Sequence, residues 1–178
     1  MKKSPANSPA PSADPNAKTG PDTVYLILRP KGSFLNDLVV QIEHGPIIYH
    51  IKSKTVALTG RSYVIYDHFR KEVYRTRQEH TAVFPHHTIL HDNNPVACVG
   101  QSGVIPQNYF IQIEDGPRFT MHIGGFQSVY SLKDDKDLVA AEIVQYRATW
   151  IVVVTATKHR DTILAGIAVM CRLNTTGG

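Results

Sequence analysis

Between Lys52 and Arg77 the sequence sets seven cations, Lys52, Lys54, Arg61, Arg70, Lys71, Arg75 and Arg77, against two carboxylates, Asp67 and Glu72. Such a surplus makes a positive wall, and its chemistry is the holding of anions, phosphate oxygens above all. Arg75 and Arg77 are two positions apart, so on a strand they share one face about 7 Å apart, a spacing able to bracket one phosphate. The competing reading is a charged outer surface that does no more than keep the chain soluble and its edges unpaired.

Other reactive residue types carry less. There are nine histidines. On a strand His87 and His91 share a face while His86 points away, and Asp92 falls opposite His91, so no metal-ligand set forms and exposed histidines are the expectation. Cys98 has no neighbour that would favour a thiolate. Gly100-Gln101-Ser102-Gly103 lacks the residue between Ser and Gly that a nucleophile elbow requires. Gly124-Gly125 is followed by no helix to receive a phosphate, and Asp134, Asp135 and Asp137 lack the Gly and closing Glu of a calcium loop. No catalytic residue, metal or cofactor is expected.

The elements that must position the cations are short alternating runs. Five times such a run, a tight polar turn and a second run follow one another: LVVQIEHGPIIYHI, YVIYDHFRKEVYRT, TILHDNNPVACVG, YFIQIEDGPRFTMHI and VYSLKDDKDLVAAEIV. Gly, Asn and Asp at the turns supply residues for positive φ, so these are read as five β-hairpins in an antiparallel meander. Val24–Arg29 and Trp150–Thr157 add a strand at each end, making about twelve. Ala57-Leu58 and Thr81–Phe84 could be strand or loop. Met1–Asp22 holds five prolines and no apolar period. Residues 1–22 are therefore expected to form a disordered tail, and 175–178 a flexible end.

The last run, RDTILAGIAVMCRL, reads as a helix over 161–173 with Asp161 as N-cap. Ile163–Cys171 is apolar on every face, so this helix must be surrounded. At about 18 Å it is too short for a hydrocarbon core of ~30 Å, and Lys158–Asp161 interrupts any longer span. A greasy helix among strands implies a closed barrel around it, wider than eight strands allow. Gly166 inside it would cost about 1 kcal/mol against Ala, which points to close approach of a strand. Cys98 and Cys171 read as small hydrophobes in a reducing compartment, with a disulfide between them the alternative.

The successive hairpins, notably VIYDHFRKEVY and TILHDNNPVACV, and the closing IVVVTATKHRDTILAGIAVMCRL resemble the tubby C-terminal-like superfamily, within it the LURP-one-related branch that groups with phospholipid scramblases. The resemblance covers Val24–Leu173 and implies a twelve-stranded antiparallel barrel, here over 23–174, around a central C-terminal helix. It also implies phosphoinositide binding by basic residues on the barrel's outer side. The membrane-inserting helix, acidic calcium segment and palmitoylated cysteines of scramblases have no counterpart here.

The expectation is thus an all-β chain with one helix, a non-enzymatic intracellular module that meets anionic phospholipid headgroups through the Lys52–Arg77 region. Net charge of +4 and a pI near 9.1 lean the same way. A protein-interaction module without lipid affinity is the first alternative, and scramblase-like lipid handling the second. No export signal, lipid anchor or transmembrane segment is expected, and nucleic acid is not the expected partner. The cytoplasm, at or near a membrane surface, is the expected location.

Overall fold

Period-two patterning builds twelve strands in the computed structural model, which describes residues 23–30, 37–56, 60–79, 84, 86–103, 107–123, 128–156 and 158–175. They are β1 (Val24–Leu28), β2 (Leu38–Ile42), β3 (Ile47–Val56), β4 (Gly60–Asp67), β5 (Glu72–Glu79) and β6 (His86–His91), followed by β7 (Asn94–Ser102), β8 (Gln107–Ile113), β9 (Arg118–Ile123), β10 (Val129–Lys133), β11 (Val139–Tyr146) and β12 (Thr149–Val154). Every strand pairs antiparallel with its neighbours in sequence, and β1 closes on β12 with Tyr25 opposite Val152. The five expected hairpins and both flanking strands are all present. The expected tail over 1–22, the last three residues, Ala57-Leu58 and Thr81–Val83 lie outside the described residues, as does Gly124-Gly125.

Closure gives the wall two faces, and alternation assigns them. Tyr25, Ile27, Ile51, Tyr63, Ile65, Ile89, Val99, Ile111, Leu132, Ile143 and Val152 point inward and are almost completely buried. Against them lies α1 (Arg160–Thr175), along which every residue from Ile163 to Arg172 is buried. The core draws on all twelve strands, and the helix fills the lumen, packing most closely on β7, β8 and β12. Burying a Leu- or Ile-sized side chain contributes about 1.5–3 kcal/mol, which is why a helix with no polar face is stable here.

Two local expectations change. Ile163 donates its N–H to the His159 carbonyl at 2.9 Å, so His159, at φ 63°, opens the helix. Asp161 lies inside the first turn, where its charge favours the helix dipole. At the β2–β3 hairpin the positive φ belongs to His44 (56°), while at the β8–β9 hairpin it falls on Asp115 (50°), one of the expected residue types. The following glycines serve a steric purpose instead: a Cβ on Gly45 would meet Ile42 Cβ at 2.9 Å, and one on Gly116 would meet Ile113 Cγ2 at 2.9 Å.

Because the topology is a meander, the five hairpin tips share one rim with the start of α1, and the helix runs down the lumen to the opposite rim. The β9–β10 ladder has the fewest pairs, Lys133 opposite Thr120 alone among the described residues. Both cysteines are free, Cys171 in the buried helix and Cys98 partly exposed, with burial pushing each thiol's pKa up.

Candidate functional site on the outer wall of β3 to β5

The seven cations do not form one patch. β3 turns Lys52 and Lys54 outward, β5 turns Arg75 and Arg77 outward, and the hairpin between β4 and β5 exposes Arg70 and Lys71 at its tip. Arg61 has the parity of Tyr63 and Ile65, which point into the lumen, and it stands at the opposite rim from Arg70. Lys52, Val64 and Arg75 are in register across three strands. Val64 faces outward there yet is fully covered, as expected where long cationic stems flank an apolar side chain.

Ion pairs divide the outer cations further. Arg75 donates through Nε and Nη2 to the two Glu72 carboxylate oxygens at 2.9 and 2.8 Å, a bidentate pair. That hydrogen bond is the main reason the Glu72 carboxyl pKa is held below its ordinary value, with Arg75 and Lys54 adding charge attraction. Arg77 lies 3.5 Å from Glu79, whose carboxylate also accepts a 2.6 Å hydrogen bond from Thr88. Arg75 lines a depression of about 210 Å³ together with Glu72 and Asp92, an acidic setting.

Lys52 and Arg70 are placed differently. With His50 and Tyr66 they line a groove of about 430 Å³ on the outer wall. His50 and Tyr66 sit directly opposite each other on β3 and β4, and Lys52 follows two residues along β3. No carboxylate engages the Lys52 or Arg70 side chain among the described residues. The groove's volume is within the roughly 300–1,000 Å³ of small-ligand sites. Two cations, an imidazole and a phenol around such a space can receive a phosphorylated headgroup through charge-assisted hydrogen bonds.

The hairpin that carries Arg70 is well defined. Asp67 and Arg70 close it with backbone hydrogen bonds, Asp67 N–H to Lys71 O at 2.9 Å and Arg70 N–H to Asp67 O at 3.0 Å. The Asp67 carboxylate accepts the Lys71 N–H at 2.9 Å, and Arg70 takes the left-handed conformation at φ 63°. Sequence reasoning named Lys52 and Arg70 but missed His50 and Tyr66. Cross-strand pairing brings those two together, and the only signal for it in the sequence is parity with Lys52 and Val64.

The histidine expectation is corrected at one position. His87 is 1% exposed and points into the lumen, its ring 5.3 Å from that of Tyr63. Burial, and secondarily His86, push its pKa down to about 4. The Arg172 guanidinium, also buried, lies 5.9 Å from the Tyr63 ring at the end of α1. His91 is at the surface, bonded through Nδ1 to the Val73 carbonyl at 2.7 Å. Among the described residues no three His, Cys, Asp or Glu side chains come together as metal ligands.

The fold defines a class, the closed twelve-stranded antiparallel barrel with a helix in its lumen. No family model and no curated protein matches the chain. An X-ray structure of a protein from Arabidopsis thaliana is similar, with a TM-score of 0.63 and 12% identity over 90% of this chain and 96% of that one. At that identity the likeness concerns architecture alone. No helix among the described residues is long and apolar enough to cross a membrane.

Proposed function

We propose that this chain is a non-enzymatic member of the tubby C-terminal-like superfamily, in its LURP-one-related branch, that attaches peripherally to anionic phospholipid at the cytoplasmic face of a membrane. The family placement draws its support from the hairpin pattern, the closing helix and the barrel shared with the plant protein. The observation that carries the lipid reading is the groove of His50, Lys52, Tyr66 and Arg70, where two cations without carboxylate partners among the described residues face a headgroup-sized space. Lys54 and Lys71 reinforce the local field, and each cation near an anionic surface contributes on the order of 1 kcal/mol.

Flotation with phosphatidylcholine vesicles, with and without a phosphoinositide, tests this reading across a salt series. Binding to the anionic vesicles should fall steeply as salt rises, since exposed charges are screened within a Debye length. Equal behaviour on neutral and anionic vesicles at low salt would end the lipid reading and leave the protein-interaction module in its place.

A further inference from the structure

The most exposed large apolar side chain of the described residues lies beside this groove. Phe69 is 76% exposed at the tip between β4 and β5. Its ring lies 3.7 Å from that of His68, and Arg70 and Lys71 follow it in the chain. An aromatic ring held in water by a tightly hydrogen-bonded hairpin contributes nothing to the core. Followed directly by two cations, it has the composition of an element that enters the headgroup and upper acyl region of a bilayer.

Charge around the rim agrees on direction. The β6–β7, β8–β9 and β10–β11 tips on the same rim carry Asp92, Glu114, Asp115, Asp134, Asp135 and Asp137 against a single lysine, Lys136. An anionic surface repels those tips and attracts Arg70 and Lys71, so the barrel meets it tilted, with the β4–β5 tip foremost. In that pose Arg70, at the tip and in the lining of the groove, lies next to the headgroups. Leu138, also exposed, sits on the diametrically opposite tip among three aspartates and is held away.

We infer that the β4–β5 hairpin is a membrane anchor, Phe69 inserting its ring into the interface of an anionic bilayer while Arg70, Lys71 and the groove engage phosphate. This rests on the lipid reading above and adds to it a non-electrostatic component of binding. Such a component survives salt that screens the charges.

The test compares wild type, Phe69→Ala and Phe69→Trp on phosphatidylcholine vesicles containing a phosphoinositide and, separately, on the water-soluble inositol phosphate headgroup. Phe69→Ala should weaken vesicle binding about tenfold, more at high salt, and leave headgroup binding unchanged. Phe69→Trp should bind vesicles as wild type does, with blue-shifted emission quenched by brominated acyl chains. Trp150, buried in the lumen, should go unquenched in wild type. Vesicle affinity unchanged in Phe69→Ala, or no quenching of Phe69→Trp, overturns the anchor while leaving the groove intact. Failure of wild type to bind anionic vesicles at all overturns the anchor and the lipid reading together. Phe69 makes no core contact, so unchanged thermal melts will show that both variants are folded.

Discussion

Gly166 meets Ile111 so closely that a Cβ on residue 166 would lie 2.7 Å from Ile111 Cδ1 and 3.1 Å from its Cγ1. The helix gives up about 1 kcal/mol of propensity to keep a glycine there, because the β8 side chain fills the place a methyl group would take. Gly166→Ala should therefore destabilise the barrel by about 1–2 kcal/mol, overpacking outweighing the propensity gain. Removing the offending methyl with Ile111→Val should make Gly166→Ala far less harmful. Urea denaturation of the four proteins checks this, and additive losses would refute the contact as the cause.

Ala168 is fully buried in the same helix. Ala168→Asp places a carboxylate in the filled lumen, one turn before the buried Arg172 whose guanidinium already lies against the Tyr63 ring, and the buried charge and added volume together cost several kcal/mol against a total stability of about 5–15 kcal/mol. The variant should be unfolded or melt far below wild type, as read by circular dichroism. A melt like that of wild type would contradict a filled lumen.

His87 couples stability to pH. Its pKa lies near 4 in the folded barrel and near ~6.5 in the unfolded chain, so between those values the unfolded state binds more protons. The stability contributed by keeping the ring neutral is complete above about pH 6.5 and is lost as pH falls toward 4, by about 3 kcal/mol at most. In His87→Leu the slope of unfolding free energy against pH over that window should shrink measurably. An unchanged slope would place the acid sensitivity elsewhere.

Arg75 and Arg77 are ion-paired with Glu72 and Glu79. Lys52→Ala with Arg70→Ala should lower affinity for phosphoinositide vesicles about tenfold or more. Arg75→Ala with Arg77→Ala should change it by less than about threefold and lower stability by no more than about 1 kcal/mol per exposed pair. Lys133→Ala with Lys136→Ala removes equal charge from a distant hairpin. Equal losses in all three double variants, measured by co-sedimentation, would reduce the interaction to net charge.

Strand number, hairpin positions and the central helix were legible in the sequence because each rests on local chemistry. A period of two exposes one face and buries the other, tight turns select residues that accept positive φ, and nine apolar residues in a row from Ile163 must be enclosed whatever surrounds them. The presence of cations between positions 52 and 77 was equally plain. Their grouping was decided only by the tertiary structure. Closure of β1 on β12 gives each strand an inside, which sends Arg61 to the lumen parity and His87 under the wall, while lateral pairing sets His50 against Tyr66 and brings Lys52 and Arg70 to one groove. Glu72 and Glu79 claim Arg75 and Arg77 through side-chain geometry that a one-dimensional charge count cannot register. Periodicity acts between neighbours in the chain, whereas a binding site is made by residues from different strands. Their juxtaposition is fixed by register and curvature.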